Sequence, residues 1–561
     1  MKRTLLFPIA FAAALTIGAA TKTNDIPAVV ATAMKSFRAA TIAAHDKFLS
    51  SDLLEGRAPG TRGDSIAEEY IATQFESYGL KPGGENGTYF QKVPLVGVTL
   101  DPAKTSLSFT RDGAPRVGPL QYLDEFVGSD ATQNPTVTLD SDVIFVGHGV
   151  VAPEYKWDDY KGVDVRGKTL VMLVDDPPAS ASEPDLFKGK ARTYYGRWTY
   201  KYEIGTEKGA RGVILIHTND AAGYGWPVVR NSWGREKAYM RLKPGQPALR
   251  FEGWLTENAA NSLFRAAGQD LAALTNAAAW RDFRPVPLTG VKLNGTVTSI
   301  LRPFDTRNVI ARLDGSDPKL RNEAILYSAH HDHLGIGTPD ATGDRIYNGA
   351  IDNASGTSLL LEMARVWANA QPAPKRSVIF NSVAAEEQGL LGSQWFGENP
   401  TIPAGRIALA INYDAVFEFG RVGSVTMIGG ERTTFYPTAQ RITRALGLNI
   451  VGDPAPEQGY YYRSDHFSFG KAGIPAFSIG QGRDITGKPA DLAKKVADDY
   501  RANHYHQPSD EFDPEWDWSS AVQMGELGFW LGWDAASSAD VPNWMPGDEF
   551  RAARDRSLAA R

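Results

Sequence analysis

The residue types able to do chemistry in this chain gather between His330 and His506, in the order His330, Asp352, Glu386, Glu387, Asp414, His506. Zinc takes imidazole nitrogen and carboxylate oxygen. A hydrolytic site with two metals needs about four or five such ligands, one carboxylate shared by both ions, and one further base. These residues make up that set without cysteine, which the chain lacks. The runs that lead into them are as informative as the ligands: AILYSAH ends at His330, SVIFNSVAA precedes Glu386, and IALAIN precedes Asp414. Short apolar runs that end in polar residues predict buried parallel strands whose carboxyl ends hold a site.

The elements that must position these residues follow from periodicity. Beyond Gly290 strand and helix alternate, and Leu360, Met363, Ala364 and Trp367 fall at i, i+3, i+4, i+7 after the Asp352 loop. This predicts an α/β fold with a mixed, mostly parallel central sheet flanked by helices. Upstream, SDLLEGRAPGTRG opens onto a helix with Ser65 and Glu68 as a capping box, an apolar stripe of Ile66, Tyr70, Ile71 and Phe75, and Gly79 to end it. Residues 88–125 alternate apolar and polar as strands do, and 131–294 break into short β runs with Gly and Pro turns, the texture of a separate β-rich module. The tail from Asp548 is charged and Ala-rich and predicts a short helix or a frayed end. No solenoid repeat is present.

At 561 residues the chain exceeds one ordinary core, so two or three domains are expected. The net charge of -6 is small for this length and no Lys/Arg cluster tracks a phosphate backbone, which argues against nucleic acid as a partner. Lys2 and Arg3, the apolar run Leu5 to Ala14 and the small-residue end Gly18-Ala19-Ala20 predict a secretory signal peptide over residues 1–20. That run is shorter than the roughly 20 residues a membrane span needs, and nothing later is long enough either. An exported chain, periplasmic or secreted, is expected. Without cysteine its stability must come from packing and bound metal.

The segments SAHHDHLG, NGAIDNASG, AAEEQGLLGS, NYDAV, YRSDHFSFGKAGIPAFSIG and YHQPSDEF, in this order, resemble the di-zinc aminopeptidases of peptidase family M28. SDLLEGRAPGTRG and the helix after it are similar to that family's N-terminal region. The 131–294 module, with GKTLVMLV and KGARGVILI, resembles the protease-associated domain inserted in such peptidases. The resemblance implies a zinc exopeptidase fold of the phosphorylase/hydrolase-like kind. It divides the chain into the signal (1–20), an N-terminal part of the peptidase domain (21–130), the protease-associated insert (131–294) and the main part (295–561). It also implies two zinc ions per chain. His330 and Asp414 would hold one, Glu387 and His506 the other, and Asp352 would bridge them. A hydroxide shared by the ions would attack the peptide, with Glu386 as general base. Asp332 would orient His330, Asp510 would do so for His506, and Tyr505 would stabilise the oxyanion. A cis peptide between Asp352 and Asn353 is implied as well.

Other assignments stay open. His331 and His333 flank His330, and His504 stands close to His506, although the His-x-Asp and Tyr-His-x-Pro-x-Asp frames select His330 and His506. Asp465 and His466 read as neighbours of the site or as packing residues. Tyr462, at the end of the run Tyr460-Tyr461-Tyr462, is a candidate substrate wall or a core residue. Arg463 would hold a substrate carboxylate, hold the oxyanion, or pair with an acid. The leading function is removal of N-terminal residues from peptides or proteins. A carboxypeptidase or dipeptidase on the same fold is the alternative that Arg463 favours. A one-zinc glutaminyl cyclase and a noncatalytic receptor-like binder are both disfavoured by the full donor set. Oligomeric state is not readable from the sequence.

Overall fold

The computed structural model describes residues 26–560, so the signal peptide expected over 1–20 lies outside the described residues. Two large sheets are joined by one long strand, Val286–Leu313, and two short strand pairs stand apart from them among the described residues. In the main sheet the strands run in the order Lys237–Met240, Phe90–Leu100, the later half of Val286–Leu313, Ser377–Val383, Ala324–His330, Ile407–Asn412, Ala476–Gln481, Ser424–Ile428 and Asn449–Val451. The four from Ser377–Val383 to Ala476–Gln481 pair in parallel and the flanking pairs are mixed, which makes this an α/β sheet.

The parallel strands read as continuous apolar runs because helices cover both faces. Along Ala324–His330 alternate side chains serve opposite cores. Ile325 and Tyr327 pack with the helices Ser355–Ala368 and Ser519–Ser537, whereas Ala324 and Leu326 pack with Phe396 and Phe469. Leu360, Met363, Ala364 and Trp367 are all buried on the first of these faces. Full burial of such a side chain contributes about 1.5–3 kcal/mol, so this face supplies much of the rigidity on which a site can be built.

The second sheet takes strands from Ser106–Arg111 to the first half of Val286–Leu313, with Gly212–His217 parallel to Thr169–Leu173 and to Phe251–Thr256. It therefore begins earlier than the change of texture at residue 131, because Ser106–Arg111 pairs with residues 291–296 far along the chain. Within the 131–294 segment, Lys237–Met240 leaves the second sheet and pairs antiparallel with Phe90–Leu100 of the main one.

The helix Arg62–Ser77 starts before the expected box. Thr61 is its N-cap, accepting from the Asp64 N–H at 3.3 Å, and Asp64 accepts from the Gly60 N–H at 2.7 Å. Glu68 is not free to cap, because Arg307 and Thr306 of the long strand hold its buried carboxylate. Gly79, at φ +76°, ends the helix, and the Leu80 N–H donates to the Phe75 carbonyl. The charged tail forms the helix Arg551–Ala559. Among the described residues no helix is long and apolar enough to cross a membrane.

Candidate metal centre

The carboxyl ends of the central strands bring His330, Asp352, Glu386, Glu387, Asp414 and His506 together. His330 ends its strand, and its Nε2 lies 3.3 Å from Asp352 Oδ1, 3.4 Å from Asp414 Oδ1 and 3.9 Å from Glu386 Oε2. His506 Nε2 lies 3.4 Å from Asp352 Oδ2 and 3.0 Å from Glu387 Oε2. Asp352 thus turns one oxygen toward each histidine.

Backbone hydrogen bonds hold this arrangement. Asp332 accepts from the N–H groups of Glu386 (3.0 Å) and Glu387 (3.3 Å), fixing the loop that carries both. The nearest partner of His330 Nδ1 is the Asp332 carbonyl at 3.2 Å, with the carboxylate at 3.8 Å. Asp510 accepts from the N–H groups of Ile351 and Asp352 and from the Tyr500 hydroxyl, so it positions the Asp352 loop rather than His506. The His506 Nδ1 instead faces Ser232 Oγ, at 3.4 Å, from the 131–294 segment.

The Asp352–Asn353 peptide is cis. Asn353 accepts from the N–H groups of Gly356 and Ala415 and donates to the Tyr413 carbonyl, tying the start of the Ser355–Ala368 helix to the segment that holds Asp414. A Cβ on Gly356 would meet Asn353 Oδ1 at 2.2 Å, which accounts for the glycine in NGAIDNASG.

The opening motif has a physical task as well. The buried Arg57 guanidinium donates to the carbonyls of His331, Leu49, Asn348 and Gly349, clamping the segments after His330 and before Asp352.

The donor set fits divalent metal. His330 Nε2 and His506 Nε2 are buried without a hydrogen-bond partner among the described residues. Ligand atoms about 2.0–2.1 Å from a tetrahedral ion stand about 3.3–3.4 Å apart, close to the spacing of each histidine from Asp352. Burial works against charge at His330, His506 and Glu386, but the members of the centre balance one another. His506 is raised to about 9 because Glu387 and Asp352 outweigh its burial. Burial pushes Glu386 well above the usual carboxylate range, with Glu387 and Asp414 adding to the effect, and pushes Asp332 up to about 7.

Of the competing histidines, His331 and His504 turn away, whereas His333 stays at the centre and groups with Asp352 and Glu387 as a further candidate metal donor. His333 Nδ1 lies 2.7 Å from Glu387 Oε1, and its ring stands edge-on to His506. His331 turns instead to Ser382 and Asp64. The buried group Asp64, Glu68 and His331 already has the Arg307 guanidinium as its cation. His504 bonds the Ser509 carbonyl, apart from the centre. Asp465 and His466 are both buried.

A cavity of ≈ 380 Å³ opens beside the donors. Tyr462 borders it while its hydroxyl donates to Glu549, and its ring packs on Tyr461 and Phe467. Arg463 donates to the Tyr505 hydroxyl at 3.1 Å, and the Tyr505 ring stacks on His506 with centroids 3.9 Å apart.

The far wall comes from the 131–294 segment through Arg197, Trp198, Tyr224, Ser232, Trp233 and Lys237. Lys237 is buried between the rings of Trp198 and Trp233 and donates to the Gln388 carbonyl at 3.0 Å, while the Ala238 N–H donates to the Gln388 side chain. Burial lowers Lys237 to about 8, partly offset by Glu252, Glu387 and Glu386. Ser232 and Lys237 carry no local sequence signal, because their partners His506 and Gln388 lie more than a hundred positions away.

Fold and centre define an α/β chain with a buried set of imidazole and carboxylate donors of the kind zinc takes. Residues 308–529 match the model of peptidase family M28. The matched span holds every one of the converging donors. A probable zinc metalloprotease of Pyrenophora teres is 35% identical over 126 residues, 22% of this chain and 26% of that one. Leupeptin-inactivating enzyme 1 of Streptomyces exfoliatus is 29% identical over 189 residues, 34% of this chain and 38% of that one. The matches thus span about a quarter to two-fifths of these curated relatives. An aminopeptidase from Aneurinibacillus sp. strain AM-1 shares the fold at a TM-score of 0.51 and 19% identity, over 92% of this chain and 98% of that one.

Proposed function

We propose that the chain is a zinc-dependent aminopeptidase that removes N-terminal residues from peptides with two zinc ions. The observation that carries this reading is the placement of Asp352, one oxygen toward His330 and the other toward His506. In this reading His330 and Asp414 would hold one ion and Glu387 and His506 the other, with Asp352 shared between them. When bound, the metal supplies the Lewis acidity that makes a water nucleophilic near neutral pH.

The chain's own residues do the rest. Glu386, whose Oε2 stands 3.9 Å from His330 Nε2 and so farther out than Asp352 and Asp414, takes the proton of the attacking water and delivers it to the leaving amine. Asp332 keeps Glu386 and Glu387 in register through their N–H groups. The Tyr505 hydroxyl donates to the developing oxyanion. The acidic cluster suits the ammonium of a free N-terminus.

The second sheet is read as a protease-associated domain that walls the cavity, and residues 1–20 as an export signal that N-terminal sequencing of the mature protein would test. A carboxypeptidase or dipeptidase reading is favoured by Arg463, which stands one tyrosine from His506.

The deciding experiment offers the purified protein, with and without chelator, a peptide with a free N-terminus and its acetylated twin. Chelator-sensitive loss of the first residue from the free peptide alone is the expected result. Cleavage of the blocked peptide from its C-terminal end would transfer the assignment to a carboxypeptidase. Two bound metals with no cleavage of either peptide would contradict a general aminopeptidase.

A further inference from the structure

The cavity lining carries both signs of charge: Asp352, Glu386, Glu387 and Asp414 border it, and so do Arg197 and Arg463. Arg197 comes from the second-sheet segment and is only 7% exposed. Its Nε has no hydrogen-bond partner among the described residues. Arg463 comes from the family-matched span, where its guanidinium sits among the rings of Tyr224, Tyr460 and Tyr505 at 5.9, 5.5 and 5.9 Å and donates to the Tyr505 hydroxyl.

Two other arginines packed into this part of the molecule have carboxylate partners. Arg192 pairs with Asp175, and Arg432 pairs with Asp548 and Glu549. Among the described residues Arg197 and Arg463 have no such carboxylate. Burial, together with the charges of Arg463 and Arg192, lowers Arg197 to about 9, so it still carries its charge at neutral pH. Arg197 is buried and Arg463 half-buried, and a buried guanidinium that feels a second cation is costly unless an anion joins it. The planar fork of arginine matches a carboxylate.

We propose that Arg197 and Arg463 form a carboxylate subsite, so that the preferred substrates are short peptides held at both ends, the amino terminus at the acidic cluster and the carboxylate at the arginine pair. This rests on the peptidase reading of the same cavity. Tyr505 sets the length scale, since it touches Arg463 through its hydroxyl and His506 through its ring. A peptide of two or three residues, at about 3.3–3.6 Å per residue when extended, covers about 7–11 Å, the scale of one tyrosine side chain with a hydrogen bond at its tip. The carboxylate would be the C-terminus of such a peptide or an acidic side chain next to the scissile bond. Because Arg197 belongs to the second sheet, that sheet would help choose the substrate.

Calorimetry on the full, zinc-loaded chain tests this without turnover. The probes are the reduced-bond dipeptide Leu-ψ(CH2NH)-Leu as free acid, its carboxamide, and Leu-ψ(CH2NH)-Glu carboxamide. The acid should bind about ten- to a hundredfold tighter than its amide, the worth of one or two charge-assisted hydrogen bonds. Arg197→Gln and Arg463→Gln should each bring that ratio toward one, and Arg197→Lys should keep part of it. If the glutamyl carboxamide binds like the free acid, the subsite takes side-chain carboxylates; if it binds like the plain amide, the subsite takes the C-terminus.

Equal affinity of acid and amide in the unmodified chain overturns the proposal. So does a preference that survives both glutamine variants. Parallel kcat/KM measurements on Leu-Gly-Gly and its amide separate the two readings. No hydrolysis with a retained acid preference removes the peptidase and leaves the subsite, and hydrolysis with no preference does the reverse.

Discussion

The buried histidines of the two sheets sit in opposite electrical surroundings. His330 and His506, above the main sheet, are ringed by Asp352, Glu386, Glu387 and Asp414, and both are raised against the pull of burial. His148 and His217, in the second sheet, have a backbone carbonyl each, from Asp175 and Tyr224. Burial, unopposed by nearby carboxylates on the same scale, lowers both. The same residue, buried in both places, is thus pushed up in one and down in the other. Burial alone therefore does not mark a functional histidine. A surplus of facing carboxylate does, because it leaves a site that a cation completes.

The largest break in this contrast comes from Asp352, whose two oxygens serve both histidines. Asp352→Ala should reduce peptide hydrolysis to background, lower the zinc bound per chain and abolish the rise in melting temperature that zinc gives the unmodified protein. Zinc content and melting temperature that match the parent would refute the bridging role.

Glu386→Gln should act on the reaction alone, lowering kcat by roughly two to four orders of magnitude while the metal stays. Loss of zinc from that variant would show that Glu386 and Glu387 exchange the roles proposed for them.

A smaller effect is expected where the second-sheet segment reaches the centre. Lys237→Met preserves the packing between Trp198 and Trp233 but removes the bond to the Gln388 carbonyl, next to the Glu386-Glu387 pair. About tenfold lower kcat with zinc retained is expected, on the scale of about 1.5–3 kcal/mol for a charge-assisted hydrogen bond to a positioned loop. An unchanged kcat would mean that Asp332 alone keeps the loop in register.

These cases also show which parts of the molecule can be read from sequence. AILYSAH, SVIFNSV and IALAIN are legible because a parallel strand buried on both faces must be apolar throughout, and a polar residue at its end has a cavity to face. His330, Glu386, Glu387 and Asp414 inherit their convergence from that rule, and Asp352 and His506 join them through loops tied down by Asp510 and Ser232. The return of Lys237–Met240 to the main sheet is not legible, since its partner Phe90–Leu100 lies far back along the chain and leaves no local period. Arg57 and Arg197 were hidden for the same reason. An arginine near a turn looks alike in sequence whether it clamps four carbonyls or waits for a ligand. The misplaced cap of Arg62–Ser77 is of this kind too, because Glu68 was read locally although Arg307 claims it.

The second sheet offers the mildest test of the contrast, through pH. Burial first, and the nearby Lys201 second, lower His148 to about 3 from an ordinary 6.5, with the Asp175 carbonyl opposing. The unfolded chain takes up a proton below about 6.5 that the folded chain refuses until near 3, so this residue's contribution to stability is intact above 6.5 and is lost as pH falls through that window. At pH 5 the loss amounts to about 2 kcal/mol. His148→Gln keeps a side-chain amide able to donate to the Asp175 carbonyl and cannot take up the proton. The melting temperature of that variant should therefore fall less between pH 7.5 and pH 5 than that of the parent. An equal fall in both would mean that the acid sensitivity of the protein arises elsewhere, and that the second sheet opens enough for His148 to meet water before the chain unfolds.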